Sequence, residues 1–387
     1  MGQQPLDFGY GVEEQILRAE VRKFLKDNCD TLTLMDLVGA DPDPERKPEC
    51  LWDKKVWKKM TKLGWTTLPV PEEYGGIGMS AVAVATLVEE VGRAAFPSPL
   101  VSNVNATYVL IACGSKGAET ALAEIAKDKT ASLAVTDRKG SWLGMDTDVT
   151  ASGSGDTITL DGTAWYVQDA GKVDFFIASA RSEGGIGLYV IPADAPGVTL
   201  HPDSIVDLTR DQAHISFENV KLGSEHIAAE PGTGEQALNA AQPAILTMVS
   251  ADMCGAGEWQ LQTTADYAKQ RVQFGRPIGF FQAVKHPIVN MMIMIDSARS
   301  HLYNAACAID HEPEQAALFA HMAKAAAGDM AAFCSGRSVQ YHGGMGFTWE
   351  CSVHLYFKRQ MHNRLLYGDA AYHRAKLADM MIGPIAA

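Results

Sequence analysis

Two short segments carry the residue types that could hold an anionic, aromatic ligand. The first is YAKQRVQFGRPIGFFQAVKH, from Tyr267 to His286. It spaces a cation (Arg271), an aromatic ring (Phe274), a break at Gly275-Arg276-Pro277, and a second aromatic–amide pair, Phe281 and Gln282. A helix that stops at a Gly-Arg-Pro turn and restarts can aim guanidinium and amide donors at an anion. Phe274 could stack on a purine. A plain helical hairpin has the same spacing, so the residues alone leave both readings open. The second segment is SVQYHGGMGFTWE, from Ser338 to Glu350, in which Gly343, Gly344 and Gly346 cluster. Main chain without Cβ lets a ligand approach closely, and Gln340, a turn earlier, could donate an amide. A simple turn between helices is the competing reading.

Other chemistries lack their residues. There is no G-x-G-x-x-G opening a βαβ unit, no P-loop, no H-E-x-x-H and no G-x-S-x-G elbow. His342-Gly343-Gly344 looks like an esterase oxyanion loop only superficially, because no serine elbow accompanies it. The 11 histidines form no ligand cluster, and the seven cysteines, odd in number, form no C-x-x-C pair. Neither a metal site nor a disulfide framework is expected, and the cysteines read as free thiols of a reducing compartment. A net charge of −13 disfavours nucleic acid, which needs a basic face. A small polyanion needs only local positive charge. No apolar run reaches the ~20 residues of a membrane span. The opening MGQQPLDFGYGVEEQ lacks the regions of a signal peptide, and Leu6 stands where an acylation signal wants Ser or Thr. The expected location is cytoplasmic, with no membrane partner.

The elements that must position these segments change texture along the chain, and 387 residues suit two or three packed units. From 1 to 120 the pattern is helical, with Ile16, Leu17, Val21, Phe24 and Leu25 at helical spacing and SAVAVATLVEEVGRAA further on. DPDPERKPEC between them reads as an exposed loop. From 121 to 230, TITL, AWYV, FFIASA, GLYVI, GVTL and HISF are short β-rich runs separated by turn residues. They suggest an antiparallel barrel or sandwich; parallel βαβ units are disfavoured because no crossover helix fits between them. From 231 to 387 helix returns, in runs beginning after Pro243, at His286 and at Glu314. The fold class is therefore α+β and multidomain, with helices and strands segregated.

RVQFGRPIGFFQAVKH, QYHGGMGFTWE and PVPEEYGGIGMS resemble, in order and spacing, the best-kept motifs of the flavin-dependent acyl-CoA dehydrogenases, over essentially the whole chain. The resemblance implies an N-terminal helical domain, a central antiparallel β-barrel and a C-terminal four-helix bundle. It also implies FAD shared between subunits. Carried over by position, Arg271, Phe274, Ile278, Phe281 and Gln282 would contact the adenosine-diphosphate half of a flavin held largely by a neighbouring subunit, with Gln340, Gly343 and Gly344 lining the same region. LAVTD resembles the segment against the isoalloxazine ring, which places Leu133, Val135 and Thr136 there. In AWYVQDAGK the stacking and hydroxyl positions fall on Tyr166 and Gln168. Ser141 matches a serine that meets flavin or CoA phosphate.

The departures from the family are informative. DRKGSWLGM replaces a Pro-Gly-rich loop, and Gln168 replaces Thr or Ser. The glutamate that removes the substrate α-proton in this family falls on Tyr367, and its alternative position near Ile245. Neither is a carboxylate. Tyr367, with an unperturbed pKa of ~10, and Asp369, which could serve if partly desolvated, are the candidate catalytic groups; a helix-capping role is the alternative for Asp369. LLYGD and FTWECSVHLY look like a bacterial branch built from unlike subunits. The resemblance thus implies a dehydrogenase or dehydrogenase subunit acting on an acyl-CoA substrate. Its assembly would be a homo-oligomer or an α2β2 heterotetramer with a homologous subunit, and an electron-transferring flavoprotein would be its acceptor. A flavin-dependent lyase or oxidase on a CoA thioester, and a non-catalytic structural subunit, are the alternatives.

Overall fold

The computed structural model describes residues 11–39, 52–154 and 157–383; the loop expected at 41–50 lies outside them. Six helices come first: α1 (Val12–Asn28), α2 (Thr31–Gly39), α3 (Lys54–Lys62), α4 (Ala81–Ala94), α5 (Leu100–Cys113) and α6 (Lys116–Ile125). The periodicity of α1 buries Val21 and Leu25, whereas Ile16 stays 60% exposed. Asp53, Ser80 and Ser115 cap α3, α4 and α6 by accepting from backbone N–H groups of the first turn. These caps satisfy donors that a helix start otherwise leaves orphaned.

Eight strands follow: β1 (Ala131–Ala134), β2 (Val149–Ser154), β3 (Thr157–Gln168), β4 (Phe175–Ser182), β5 (Gly185–Pro192), β6 (Val198–Pro202), β7 (Gln212–Leu222) and β8 (Ile227–Ala229). The sheet order is β6-β7-β3-β2-β4-β5-β8, with β1 also paired to β4. This corrects the expected antiparallel barrel. The sheet is mixed, since β4 runs parallel to both β1 and β2, and its path does not close on itself. The parallel pairing needs no crossover helix, because the β2–β3 hairpin supplies the length of chain that a parallel return requires. TITL and AWYV, which read as separate strands, belong to one strand with register shifts at Leu160/Gly162 and Ala164/Val167. Tyr166, at φ 56°, sits in the second shift, and such bulges re-aim side chains.

Alternation sorts the sheet residues into two cores. Phe176, Ile191, Ile215 and Phe217 fill one face. Leu133, Phe175, Ile177 and Leu188 pack against Val109 and Leu122 of α5 and α6.

The chain ends in α7 (Gly234–Gln270), α8 (Gln282–His311), α9 (Pro313–His342), α10 (Val353–Leu365) and α11 (Ala370–Ile382), one helix more than the expected bundle of four. Helix α7 begins before Pro243, not after it, and carries the proline inside. The helices of the two ends share one core. Val84, Leu87 and Val88 pack with Met248, Met253, Ile295, Leu302 and Met330. The contact is close because Gly255 lies where a Cβ would come 1.8 Å from Glu89 O, and Gly92 where one would come 2.2 Å from Asp252 O. Among the described residues no helix is long and apolar enough to cross a membrane, and no cluster of His, Cys, Asp and Glu could hold a metal.

Candidate functional site

At one end of the sheet, α5, β1, β3, α7 and the α10–α11 turn converge on a small cavity. Helix α5 contributes Ser102 and Asn105, β1 contributes Leu133, and β3 contributes Tyr166 and Gln168. The opposite wall is Trp142, Arg210 and Tyr367. The space left is ≈ 10 Å³, room for about one water.

Tyr367 is placed by its backbone. Leu366-Tyr367-Gly368 forms the turn between α10 and α11, with φ of 59° at Tyr367 and 104° at Gly368. Lys324, buried on α9, clamps this turn by donating to Arg364 O (3.1 Å) and Gly368 O (2.7 Å). Burial lowers the Lys324 pKa to about 7. The Tyr367 ring lies 4.4 Å from the Trp142 ring, centroid to centroid. Burial pushes the Tyr367 phenol up to about 12, although the nearby Asn105 amide acts in the opposite direction. A phenol so shifted is a poor base near neutrality. Asp369 is the N-cap of α11, its Oδ1 accepting from Tyr372 N at 2.8 Å.

The other side chains expected at this end of the sheet are engaged within the protein. Gln168 Nε2 donates to Gln212 Oε1 (2.8 Å) and Tyr166 O (3.0 Å), and its Oε1 meets His362 Nε2 at 2.7 Å. Burial lowers the His362 pKa to about 4, so the ring is neutral and its Nε2 carries the proton donated to Gln168. The Tyr166 hydroxyl donates to Arg138 O at 3.1 Å. Ser141 donates to Asp146 at 2.8 Å. Thr136 is buried and bridges by its backbone to Trp165, and Val135 belongs to the core between sheet and α5.

Beneath the cavity lies a buried ionic cluster. Asp252 on α7 accepts from Arg359 Nε (2.9 Å) and Nη2 (2.5 Å), from Arg210 Nη2 (3.0 Å) and from Asn363 Nδ2 (2.6 Å). Burial alone would raise the Asp252 pKa, but the two guanidiniums hold it below the ordinary carboxylate range. Sequence reasoning missed Trp142, Asn105 and Arg210 as cavity residues, and His362 as the partner of Gln168. No motif marks them, and they come from four separate segments.

The second group of expected residues lies elsewhere, at the α7–α8 turn. It is a small β-hairpin, β9 (Val272–Gln273) with β10 (Arg276–Pro277), whose two central residues Phe274 and Gly275 have φ of 53° and 71°. A two-residue hairpin turn favours positive φ at both positions. Phe274 is 92% exposed, with its ring 6.1 Å from that of Phe281. Arg271, Gln282, Gln340, Gly343 and Gly344 are exposed as well, and Ile278 partly so. The two sequence segments meet here: Tyr341 donates to Ala283 O at 3.3 Å and His342 stacks on Tyr267 at 4.4 Å. A Cβ at Gly343 or Gly344 would meet nothing within 4 Å. An open glycine turn beside an exposed ring and an exposed guanidinium suits a nucleotide end of a ligand. The cavity side differs, because most of its polar groups already have protein partners, the buried Asn105 Oδ1 excepted.

Residues 12–122 match the family described as acyl-CoA dehydrogenase, N-terminal domain, and residues 247–382 match the acyl-CoA dehydrogenase C-terminal domain. The chain is 30% identical over 348 residues to acyl-CoA dehydrogenase IpdE2 of Mycobacterium tuberculosis H37Rv, covering 90% of each. Its fold is similar to a chain in the structure described as the electron transferring flavoprotein of Acidaminococcus fermentans, with TM-score 0.88, 24% identity, and coverage of 98% and 100%. It is also similar to a chain of the ChsE4–ChsE5 complex of Mycobacterium tuberculosis, with TM-score 0.86, 23% identity, and coverage of 98% and 100%.

Proposed function

The chain belongs to the acyl-CoA dehydrogenase family, flavin-dependent oxidoreductases acting on CH–CH groups, and from that premise we propose that it is one subunit of an FAD-dependent dehydrogenase that places an α,β double bond in a CoA thioester, with the base for α-proton removal supplied by a homologous partner subunit. The resemblance puts Tyr367 at the position of the family glutamate, and one observation supports the reading: this half-buried phenol is pushed up to about 12, and the nearby Asp369 caps α11. This chain thus offers the cavity no carboxylate of its own at that turn.

On this reading Arg271, Phe274, Ile278, Phe281 and Gln282, with Gln340, Gly343 and Gly344, hold the adenosine-diphosphate half of FAD at a subunit boundary. The exposure of Phe274 and the open space at the glycines support that assignment. FAD, when bound, supplies the hydride acceptor, and an electron-transferring flavoprotein takes the electrons onward. The chain's contribution is then to bind and orient the cofactor. Leu133, Val135, Thr136, Tyr166 and Gln168 shape the sheet end, and Ser141 braces the neighbouring loop.

The test is anaerobic mixing with saturated acyl-CoA thioesters. The purified chain alone is expected to leave its flavin absorbance unchanged, and the chain assembled with a homologous, glutamate-bearing partner to bleach it with formation of an enoyl thioester. Bleaching by the chain alone would show an internal base and overturn the proposal.

A further inference from the structure

We propose that Trp142 and Tyr367 are the specificity-determining residues of this chain: their paired rings fill the cavity at the sheet end and exclude an acyl chain from it. The inference rests on the dehydrogenase reading and goes beyond it, because it states which thioesters this chain's own cavity can accept.

Several observations support a fixed wall at this place. The space is ≈ 10 Å³ and two of its lining residues are these rings, 4.4 Å apart. Tyr367 is anchored from both sides, by the Lys324 clamp on the carbonyls flanking the turn and by the Asp369 cap that follows it. Trp142 sits in a stretch with no regular structure, yet that stretch is braced. Asp137 accepts from Ser141 N at 2.8 Å, Asp146 from the Ser141 hydroxyl at 2.8 Å, and Asp148 from Arg138 N at 2.8 Å. The Tyr166 hydroxyl ties Arg138 O to β3, and Arg181 holds Met145 O. Three carboxylates and two strand side chains therefore fix the Trp142 segment to the sheet. Arg210, held to Asp252 and Asn363, closes the cavity on another side and leaves no depth for methylenes behind the rings. An apolar chain gains affinity only by burying methylenes, and here there is nowhere to bury them.

The experiment is equilibrium dialysis of acetyl-CoA and butyryl-CoA against the full chain in wild-type, Trp142→Ala, Trp142→Phe and Tyr367→Gly forms. Two extra methylenes, once buried, favour the butyryl thioester by ~10-fold. Wild type and Trp142→Phe are expected to bind both thioesters equally. Trp142→Ala and Tyr367→Gly are expected to prefer butyryl-CoA by that factor. Glycine accepts the φ of 59° at position 367 without strain, so this variant removes the ring while sparing the turn, and it carries the test should Trp142→Ala not fold. Wild type that already prefers butyryl-CoA, with no change on removal of either ring, overturns the inference but leaves the dehydrogenase reading standing. Equal binding of the two thioesters in all four forms, or binding in none, also overturns the inference, whereas the dehydrogenase reading stands or falls on flavin bleaching by the assembled pair.

Discussion

Single residues here act through what they are already bonded to. Asp369 was readable as either a base or a cap from its place before AAYHR; the bond to Tyr372 N supplies the capping role. Asp369→Ala is expected to cost ~1 kcal/mol of stability in denaturant unfolding, and Asp369→Asn, which keeps a capping oxygen, to leave thioester-dependent flavin bleaching by the assembled protein unchanged. Asp252 presents the opposite case, a charge that two arginines must neutralise. Replacing it with Ala strands both guanidiniums in a buried site. The expected loss is ~3–5 kcal/mol, read from the shift in unfolding midpoint at constant slope. Its partners Arg210 and Arg359 lie 42 and 107 residues away in sequence, so no local pattern announces the cluster.

Elements are positioned by close approach as much as by apolar stripes. Helices α4 and α7 cross at Gly92 and Gly255, where backbone meets backbone. Gly255→Ala would set a Cβ 1.8 Å from Glu89 O, so the helices must separate, at a cost of ~1–3 kcal/mol or more. Differential scanning calorimetry should register a lowered melting temperature, and an unchanged one would mean that the crossing is looser than described. Helix existence was legible in the sequence because Val21, Leu25 and their counterparts recur with the helical period. Sheet topology was not. The same alternation of Phe175, Phe176 and Ile177 suits a parallel or an antiparallel neighbour, and only the pairing of β4 with β1 and β2 decides between them.

For the whole molecule, the helices of both ends close one core beside the sheet, and histidines of the C-terminal helices are held neutral by burial. His321 and His373 stand 2.7 Å apart, Nδ1 to Nδ1. Burial lowers His321 and His362 to about 4 and His373 to about 3, against ~6.5 in an unfolded chain. Between those values the unfolded chain holds more protons, so stability rises with pH there. Their contribution is complete above pH ~6.5 and is lost as the pH falls toward 4. Thermal melting across that range is expected to show a progressive drop in midpoint, shallower in a His321→Asn, His373→Asn double variant.

Sequence alone determined the family, the run of helices, strands and helices, and the two segments that form the glycine turn and the α7–α8 hairpin. Those depend on contiguous residues: Phe274 and Gly275 are neighbours, and so are Gly343 and Gly344. Tertiary structure alone decided that the sheet stays open, that Arg210 and Arg359 close on Asp252, and that Trp142 meets Tyr367. Contacts between residues far apart in the chain are set by how helices and strands stack, and periodicity records which face of an element is buried without recording what lies against it.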